Sequence, residues 1–393
     1  MTNGTKPPVE YEDSALKAFL VPVGAILAGV GLMIGIYFLV IDKQAAANTA
    51  AVIYELFGNQ AEADMLRAGS GNTVVPKLIL AAIALAVGLG GTWFFYLGLN
   101  AVVMRMGDRW RNRLLPWVFV GPALLLLTLW LVWPVISTIV MSLTEGAGVA
   151  NWEWALTNPS NHEMYINNFL WLIVGVGGAV GLGLLIAWLV DRLRGESLAK
   201  TFIFLPLAIS LVGASVIWRF VYAWRPPGQP QYGLLNAIVE GLGFEPIAWI
   251  QTPDYRLNTF ALIVILIWLQ TGFAMVVLSA AIKGVPDEIL EAADLDGASE
   301  RQKFTRIIVP MIRGSLIMVT ITVAITVLKV FDIVYVMTGG RFNTDVVANQ
   351  MYVQAFQFFD TGRASVLAVV LFLAVLPLAL LNVRNIRKQG MSA

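Results

Sequence analysis

Apolar residues dominate eight stretches of this chain, each close to the roughly 20 residues that a helix needs to cross a hydrocarbon core. They cover residues 19–41, 78–99, 117–140, 167–190, 202–222, 260–282, 314–337 and 364–383. Apolar positions are continuous around each stretch, as expected for helices dissolved in lipid or packed on all sides. The first run exceeds the roughly 7–15 apolar residues of a signal-peptide core, so it is expected to be a retained helix. Small residues crowd the fourth stretch, where Gly177 and Gly181 make a G-x-x-x-G step suited to close helix packing. The expectation is an all-α polytopic membrane protein with about eight transmembrane helices.

The polar segments between the spans set an orientation. With eight spans both termini share one side, and that side holds 17 Lys and Arg against seven on the other. The positive-inside rule then puts both termini in the cytoplasm. Among the outer segments, 42–77 contains a helix-compatible stretch at 45–57, and 223–259 is rich in Pro, Gly and Trp. Trp152, Trp154, Trp224 and Trp249 lie near outer span ends, where they can anchor at the interface or stack on a ligand.

Composition narrows the chemistry. Of 393 residues 58% are hydrophobic and 13% charged, which excludes an ordinary soluble domain. Basic and acidic residues nearly balance, at 26 and 25, so charge gives no case for nucleic acid. No cysteine and a single histidine, His162, exclude disulfides, thiolate chemistry and a multi-histidine metal site. No metal site and no catalytic residues are expected. The chain has no Gly-Lys pair, hence no G-x-x-x-x-G-K-[ST] loop for ATP.

The longest cytoplasmic segment, 283–313, reads as a helical hairpin. Pro286 suits a helix start, and Asp287 and Glu288 complement the positive end of its dipole. Asp296-Gly297 ends that helix, because glycine accepts positive φ. Ser299 and Gln302 form a capping-box pattern that opens a second helix with Phe304, Ile307 and Ile308 as its apolar positions. The apolar stripe needs a cover, either the chain's own helix ends or another subunit.

These residues carry a family resemblance. Glu291-Ala292-Ala293, Asp296-Gly297, Ile307 and Val309-Pro310 resemble the EAA loop of permease subunits in binding-protein-dependent ABC importers, with Val309 where the family has leucine. The resemblance covers the six-helix core of the maltose-type permeases, here 114–393. Residues 1–113 form an N-terminal extension with two further helices. Segments 209–222 (ISLVGASVIWRFVY), 268–286 (WLQTGFAMVVLSAAIKGVP) and 326–340 (TVLKVFDIVYVMTGG) are similar to the α-glucoside permeases of that family. The large periplasmic domain of the maltose permease has no counterpart in the 26 residues of 141–166.

The resemblance implies a translocation subunit for a carbohydrate, working by alternating access in a prokaryotic inner membrane. Its implied partners are a second permease, two ATPase subunits holding ATP and Mg, an extracytoplasmic solute-binding protein, the sugar and membrane lipid. No cofactor is expected on this chain. Glu291, Ala292, Ala293, Asp296, Gly297 and Pro310 would couple to the ATPase, with Glu291 pairing with a basic group. Trp268, Leu269, Gln270, Phe273, Thr322, Thr326 and Lys329 fall on sugar-contacting positions of the maltose permease.

The residues themselves leave alternatives. Within the expected spans the charges are Arg219, Lys329 and Asp332, and each costs about 2.5–3.5 kcal/mol at a helix centre. Arg219 lies near an outer end and can snorkel. Lys329 and Asp332, spaced i, i+3, can pair, or Lys329 can serve a ligand. Thr322, Thr326 and Lys329 share one helical face, yet threonines can instead bond their own helix carbonyls. An ion-coupled secondary transporter is the alternative function. It would need mid-membrane ion sites, for which Asp332 is the sole carboxylate.

Overall fold

The computed structural model describes residues 21–32, 51, 64, 65, 67, 74–191, 195–226 and 228–390. Most of the 19–41 and 42–77 expectations, the 45–57 stretch included, lie outside these residues. The described residues contain helices and turns and no strand. In chain order the helices are α1 (Val21–Leu32), α2 (Val74–Val103), α3 (Asp108–Leu127), α4 (Trp133–Thr144), α5 (Ala150–Thr157), α6 (Pro159–Leu170), α7 (Val176–Val190), α8 (Glu196–Phe204) and α9 (Leu211–Val221). They continue as α10 (Leu234–Gly241), α11 (Leu257–Lys283), α12 (Asp287–Leu295), α13 (Glu300–Met311), α14 (Arg313–Leu328), α15 (Asp332–Met337), α16 (Val347–Phe356) and α17 (Thr361–Gly390). The chain divides into two compact units, Met1–Ser137 and Thr138–Ala393.

In the first unit, glycine lets α1 and α2 cross at contact distance. A Cβ on Gly29 would stand 2.6 Å from Gly91 O, and one on Gly98 would stand 2.6 Å from Pro22 O.

The second unit is built around α11, whose inner positions, among them Leu262, Ile265, Leu266, Met275 and Leu278, are fully buried. The fourth span packs on it through small residues, but not through the expected G-x-x-x-G step. Gly177 and Gly181 face open space, whereas a Cβ on Gly178 would meet Ile267 Cδ1 at 2.5 Å and one on Gly183 would meet Ala274 Cβ at 2.5 Å. Spacing alone does not say which of two glycine faces meets a neighbour.

Among the described residues five helices are long and apolar enough to cross a membrane: Leu85–Val103, Asp108–Thr144, Pro159–Val190, Asp254–Lys283 and Thr361–Asn385. Two bent helix pairs pass the same test only when each is taken together, as a broken span or a re-entrant loop. Glu196–Ala208 meets Leu211–Val221 at 103°, and Glu300–Met311 meets Arg313–Leu328 at 73°. The uniform helix expected over 202–222 is therefore two pieces. Pro206 lies in a 3-10 turn, Ile209 is extended, and Ser210 Oγ accepts from Gly213 N to start α9 afresh. The helix expected over 314–337 likewise ends at Leu328 and restarts at Asp332. Arg219 donates to Val336 O, so it ties α9 to α15 rather than only reaching for an interface.

A charged knot joins three helix ends near the hairpin. Lys200 Nζ lies 2.5 Å from Asp191 Oδ1 and 2.6 Å from Glu196 Oε1, and Lys283 Nζ lies 2.5 Å from the same Glu196 oxygen. Buried Ser279 donates to Asp191 Oδ1 at 2.7 Å. This fixes the ends of α7, α8 and α11 from which the hairpin departs.

Candidate functional site

The hairpin over 283–313 has the two helices and the turn its sequence predicts. Pro286 precedes α12, and Asp287 and Glu288 occupy its first turn. Gly297 adopts φ +73°, and Ala298 N donates to Ala293 O to close the turn. The Ser299–Gln302 capping box makes both of its bonds and starts α13. A π-turn at Lys303–Ile308 follows, then Pro310 and the 73° bend into α14.

The hairpin's cover is partly its own. Val285, Ile308 and Ile312 are buried in the main core, Leu290 packs on it, and the rings of Phe304 and Trp188 lie 4.6 Å apart. Ala293 turns inward, while Glu291, Ala292, Asp296 and Gly297 are exposed. Leu295 is 90% exposed beside them. The hairpin thus rests on its own helices through one face and leaves the other open, with an anion and apolar groups on it. Such a face suits docking to a basic, apolar partner surface.

The sequence reading missed the latch that sets the hairpin's shape. Lys303 is 8% exposed, and its Nζ lies 2.6 Å from Asp294 Oδ1 in α12 and 2.5 Å from Glu300 Oε1 in α13. The Asp294 carboxylate, followed by Glu300, pushes the Lys303 ammonium above its ordinary pKa. Lys303 follows Asp294 by nine positions, and the glycine turn between them makes them neighbours.

The expected sugar-contacting residues divide into groups. Trp268 stands in an aromatic cluster, its ring 5.8 Å and edge-on from Trp218, which lies 5.1 Å from Tyr222. With Trp249 and Phe260 these line an apolar groove of about 570 Å³. Leu269 is buried, and Gln270 and Phe273 are half-buried further along α11. Thr322 and Thr326 are half-buried on α14, and their hydroxyls donate to Met318 O at 2.8 Å and Thr322 O at 3.1 Å. Their donors are therefore used within the helix, and what remains for a ligand is acceptor capacity.

Lys329 is the C-cap of α14, with φ −97° and ψ 15°. Its side chain is exposed on a separate groove of about 470 Å³, with Phe331, Met351, Tyr352 and Phe372. That groove shares no residue with the one lined by Trp268. Asp332 opens α15 beyond the break, and no ion pair joins it to Lys329 among the described residues. The break removes the i, i+3 register that pairing needs. Among the described residues Trp268 and Lys329 thus line two separate grooves.

Ser215 is buried and bonded to Leu211 O, and His162 is an exposed residue of α6. Two of the four tryptophans are tied inside the protein: Trp152 Nε1 donates to Ser142 O at 3.1 Å and Trp249 Nε1 to Asn236 Oδ1 at 3.1 Å.

Comparison with known proteins places this architecture. Residues 179–390 match the family model described as "Binding-protein-dependent transport system inner membrane component". Over 277 residues the chain is 49% identical to the osmoprotective compounds uptake permease protein GgtC of Synechocystis sp., covering 69% of this chain and 99% of that one. Over 324 residues it is 45% identical to the alpha-glucoside transport system permease protein AglF of Rhizobium meliloti, covering 81% and 96%. The fold is similar to a chain in the crystal structure of a bacterial alginate ABC transporter in complex with an alginate pentasaccharide-bound periplasmic protein. That match has a TM-score of 0.62 at 19% identity, over 71% of this chain and 96% of the other. With the hairpin's geometry and these relatives in agreement, the chain belongs to the inner-membrane permease components of binding-protein-dependent ABC transport systems.

Proposed function

We propose that this permease forms half of the translocation path of an ATP-driven importer for an α-glucoside or related oligosaccharide. The observation that carries the coupling half of this reading is the open face of α12. There Glu291 is exposed beside Leu295 on a hairpin otherwise packed and latched to its own bundle. The 45% identity to an α-glucoside permease supports the substrate class. Glu291, Ala292, Ala293, Asp296, Gly297 and Pro310 form the coupling hairpin, held in the cleft of an ATPase subunit that binds ATP and Mg. This chain carries no nucleotide site and needs no cofactor of its own. It lies in the inner membrane with both termini in the cytoplasm.

The substrate path uses Trp268, Leu269, Gln270 and Phe273 on α11 and Thr322 and Thr326 on α14. Lys329 stands at the broken end of α14. Aromatic faces suit the C–H faces of a sugar, and amide and hydroxyl groups suit its rim. A 16-residue α14 rises about 24 Å, so Lys329 lies in the outer half of a core about 30 Å thick. An exposed ammonium there is tolerated against a water-filled cavity or another subunit, not against lipid tails. A second permease facing this chain completes the cavity. The ion-coupled alternative has no support among the relatives.

The test is uptake in proteoliposomes holding both permeases and the ATPase subunits, with the solute-binding protein of the same system and labelled maltose, trehalose or sucrose. Uptake that needs ATP and the binding protein is expected. Accumulation driven by an ion gradient without ATP would overturn the proposal.

A further inference from the structure

Helix α8 lies against α11 without a core of its own. None of its nine residues is buried, and Leu198 and Phe202 are 69% and 72% exposed. Beyond it the chain passes through Pro206 and extended Ile209 and turns by 103° into α9, so no continuous helix holds α8 from that side. A single row of contacts ties it to α11. Glu196, Lys200 and Ile203, spaced i, i+4 and i+7, share one face of α8. In antiparallel order they meet Lys283, Ser279 and Gly272, which share one face of α11. Lys283 Nζ lies 2.5 Å from Glu196 Oε1, Lys200 Nζ donates to Ser279 Oγ, and a Cβ on Gly272 would stand 2.5 Å from Ile203 O.

This row runs from the root of the hairpin to the level of the substrate path. Lys283 stands three positions before Pro286, where α12 begins. Gly272 lies between Gln270 and Phe273, and Phe202, Ile203 and Pro206 of the α8 end share a groove with Trp268 and Thr271. The charges along the row alternate, so that Asp191, Lys200, Glu196 and Lys283 form a chain with every link at 2.5–2.6 Å. Lys200 and Asp191 are 19% and 10% exposed and make the inner link, whose loss would strand a charge. Lys283 is 53% exposed, so its link to Glu196 can be removed without burying an unpaired ammonium.

We infer that Glu196 and Lys283 are positioning residues for transport: their pair makes α8 follow the hairpin, so the wall of the path beside Gln270 moves when the ATPase moves the hairpin. The inference rests on the importer reading, which supplies the moving hairpin and the path.

The chain has no cysteine, so Glu196→Cys/Lys283→Cys puts its two thiols at the pair and nowhere else, and leaves Lys200 beside Asp191. The experiment uses the assembled complex of both permeases and the ATPase subunits in proteoliposomes, with the solute-binding protein of the same system and labelled maltose, trehalose or sucrose. Sugar taken up per ATP is measured before and after a short, reducible bis-thiosulfonate reagent joins the two thiols, with reagent-treated wild type as control. Unjoined, the variant is expected to move about twofold to fivefold less sugar per ATP, the range a partly exposed ion pair sets. Joining is expected to return the ratio to that of wild type. Glu196→Gln, which removes the charge without a thiol, should lower the ratio alike. A merely structural pair would change the yield of assembled complex and leave the ratio alone. An unchanged ratio in the unjoined variant, or a joined variant that stays low or stops transporting, overturns the inference while leaving the importer reading intact. A wild-type complex without ATP-dependent uptake overturns both.

Discussion

Lys303 Nζ lies 2.6 Å from Asp294 Oδ1, joining the two helices of the hairpin across the Gly297 turn. The Lys303 side chain is 10% exposed, and a cation held that close to the protein interior requires a partner. The π-turn over Lys303–Ile308 widens the helix at this point, and Ile308 from the same turn enters the main core. The latch therefore fixes the angle at which α12 presents Glu291.

Replacing Lys303 with Gln should loosen the hairpin, though less than breaking a fully buried pair would, because Asp294 is 56% exposed. The expected signature is ATP hydrolysis that continues while uptake per ATP falls, with Lys303→Arg close to wild type. Uptake per ATP measured side by side in vesicles checks this, and equal ratios for Gln and wild type would remove the latch from coupling.

Glu291→Lys should abolish uptake while the protein reaches the membrane in normal amount. Its side chain is exposed and has no ion-pair partner within the described chain, so folding does not depend on it. Truncating a desolvated interfacial pair costs about 2–5 kcal/mol, and reversing the charge adds repulsion. Co-purification of the ATPase with the variant, alongside uptake, is the measurement.

Gly297→Val should impair coupling through the backbone alone. A Cβ at Gly297 meets nothing within 4 Å, so the cost is the left-handed φ of +73° and not a clash. That strain is about 1–2 kcal/mol for most residues and smaller for asparagine. Gly297→Asn is therefore expected to retain more stimulated ATPase activity than Gly297→Val, and equal damage by both would point to another role for the glycine.

Lys329→Met should leave the amount of protein in the membrane unchanged, because no ion pair to Asp332 is lost. Sugar preference should shift instead. Gln270→Ala and Thr326→Val should each weaken uptake several-fold, in line with about 1 kcal/mol for one hydrogen-bonding group. Competition uptake with a sugar panel and membrane yields from the same preparations separate the two effects. Wild-type affinity and rate in both single variants would move the site elsewhere.

Asp345 supplies a pH dependence in the loop after α15. Burial raises its carboxyl from 3.8 to about 6, against the lowering effect of bonds from Asn349 and Val346 N. A carboxyl with a raised folded pKa holds its proton more tightly in the folded state, so stability falls as pH rises from about 4 to about 6 and is flat above. The difference amounts to about 3 kcal/mol at most. Asp345→Asn keeps an acceptor oxygen and removes the charge, so it should raise the melting temperature at pH 7.5 more than at pH 4.5. Thermal melts of wild type and variant at the two pH values check the sign.

The sequence by itself determined the membrane-bound all-α class, the hairpin and its identity. Each rests on local physics: continuous apolar runs, a glycine turn, a capping box and a motif confined to 20 residues. Leu78 through Val383 reads as spans because hydropathy is a property of composition. The break at Ile209 is made locally by Pro206 and the Ser210 cap, whereas the break before Lys329 is met by Asn168 of α6, whose Nδ2 donates to Leu328 O. The glycine face that packs, Gly178 and Gly183 rather than Gly177 and Gly181, depends on where α11 lies. The Lys303–Asp294 latch and the bond from Asn167 to Asn343 O are long-range in the same sense: Asn167 bonds a loop 176 residues away, and nothing in the residues between them specifies that meeting. Lys329 and Asp332 show the converse case, in which a spacing that permits a pair is undone by a helix end that only the packed fold creates.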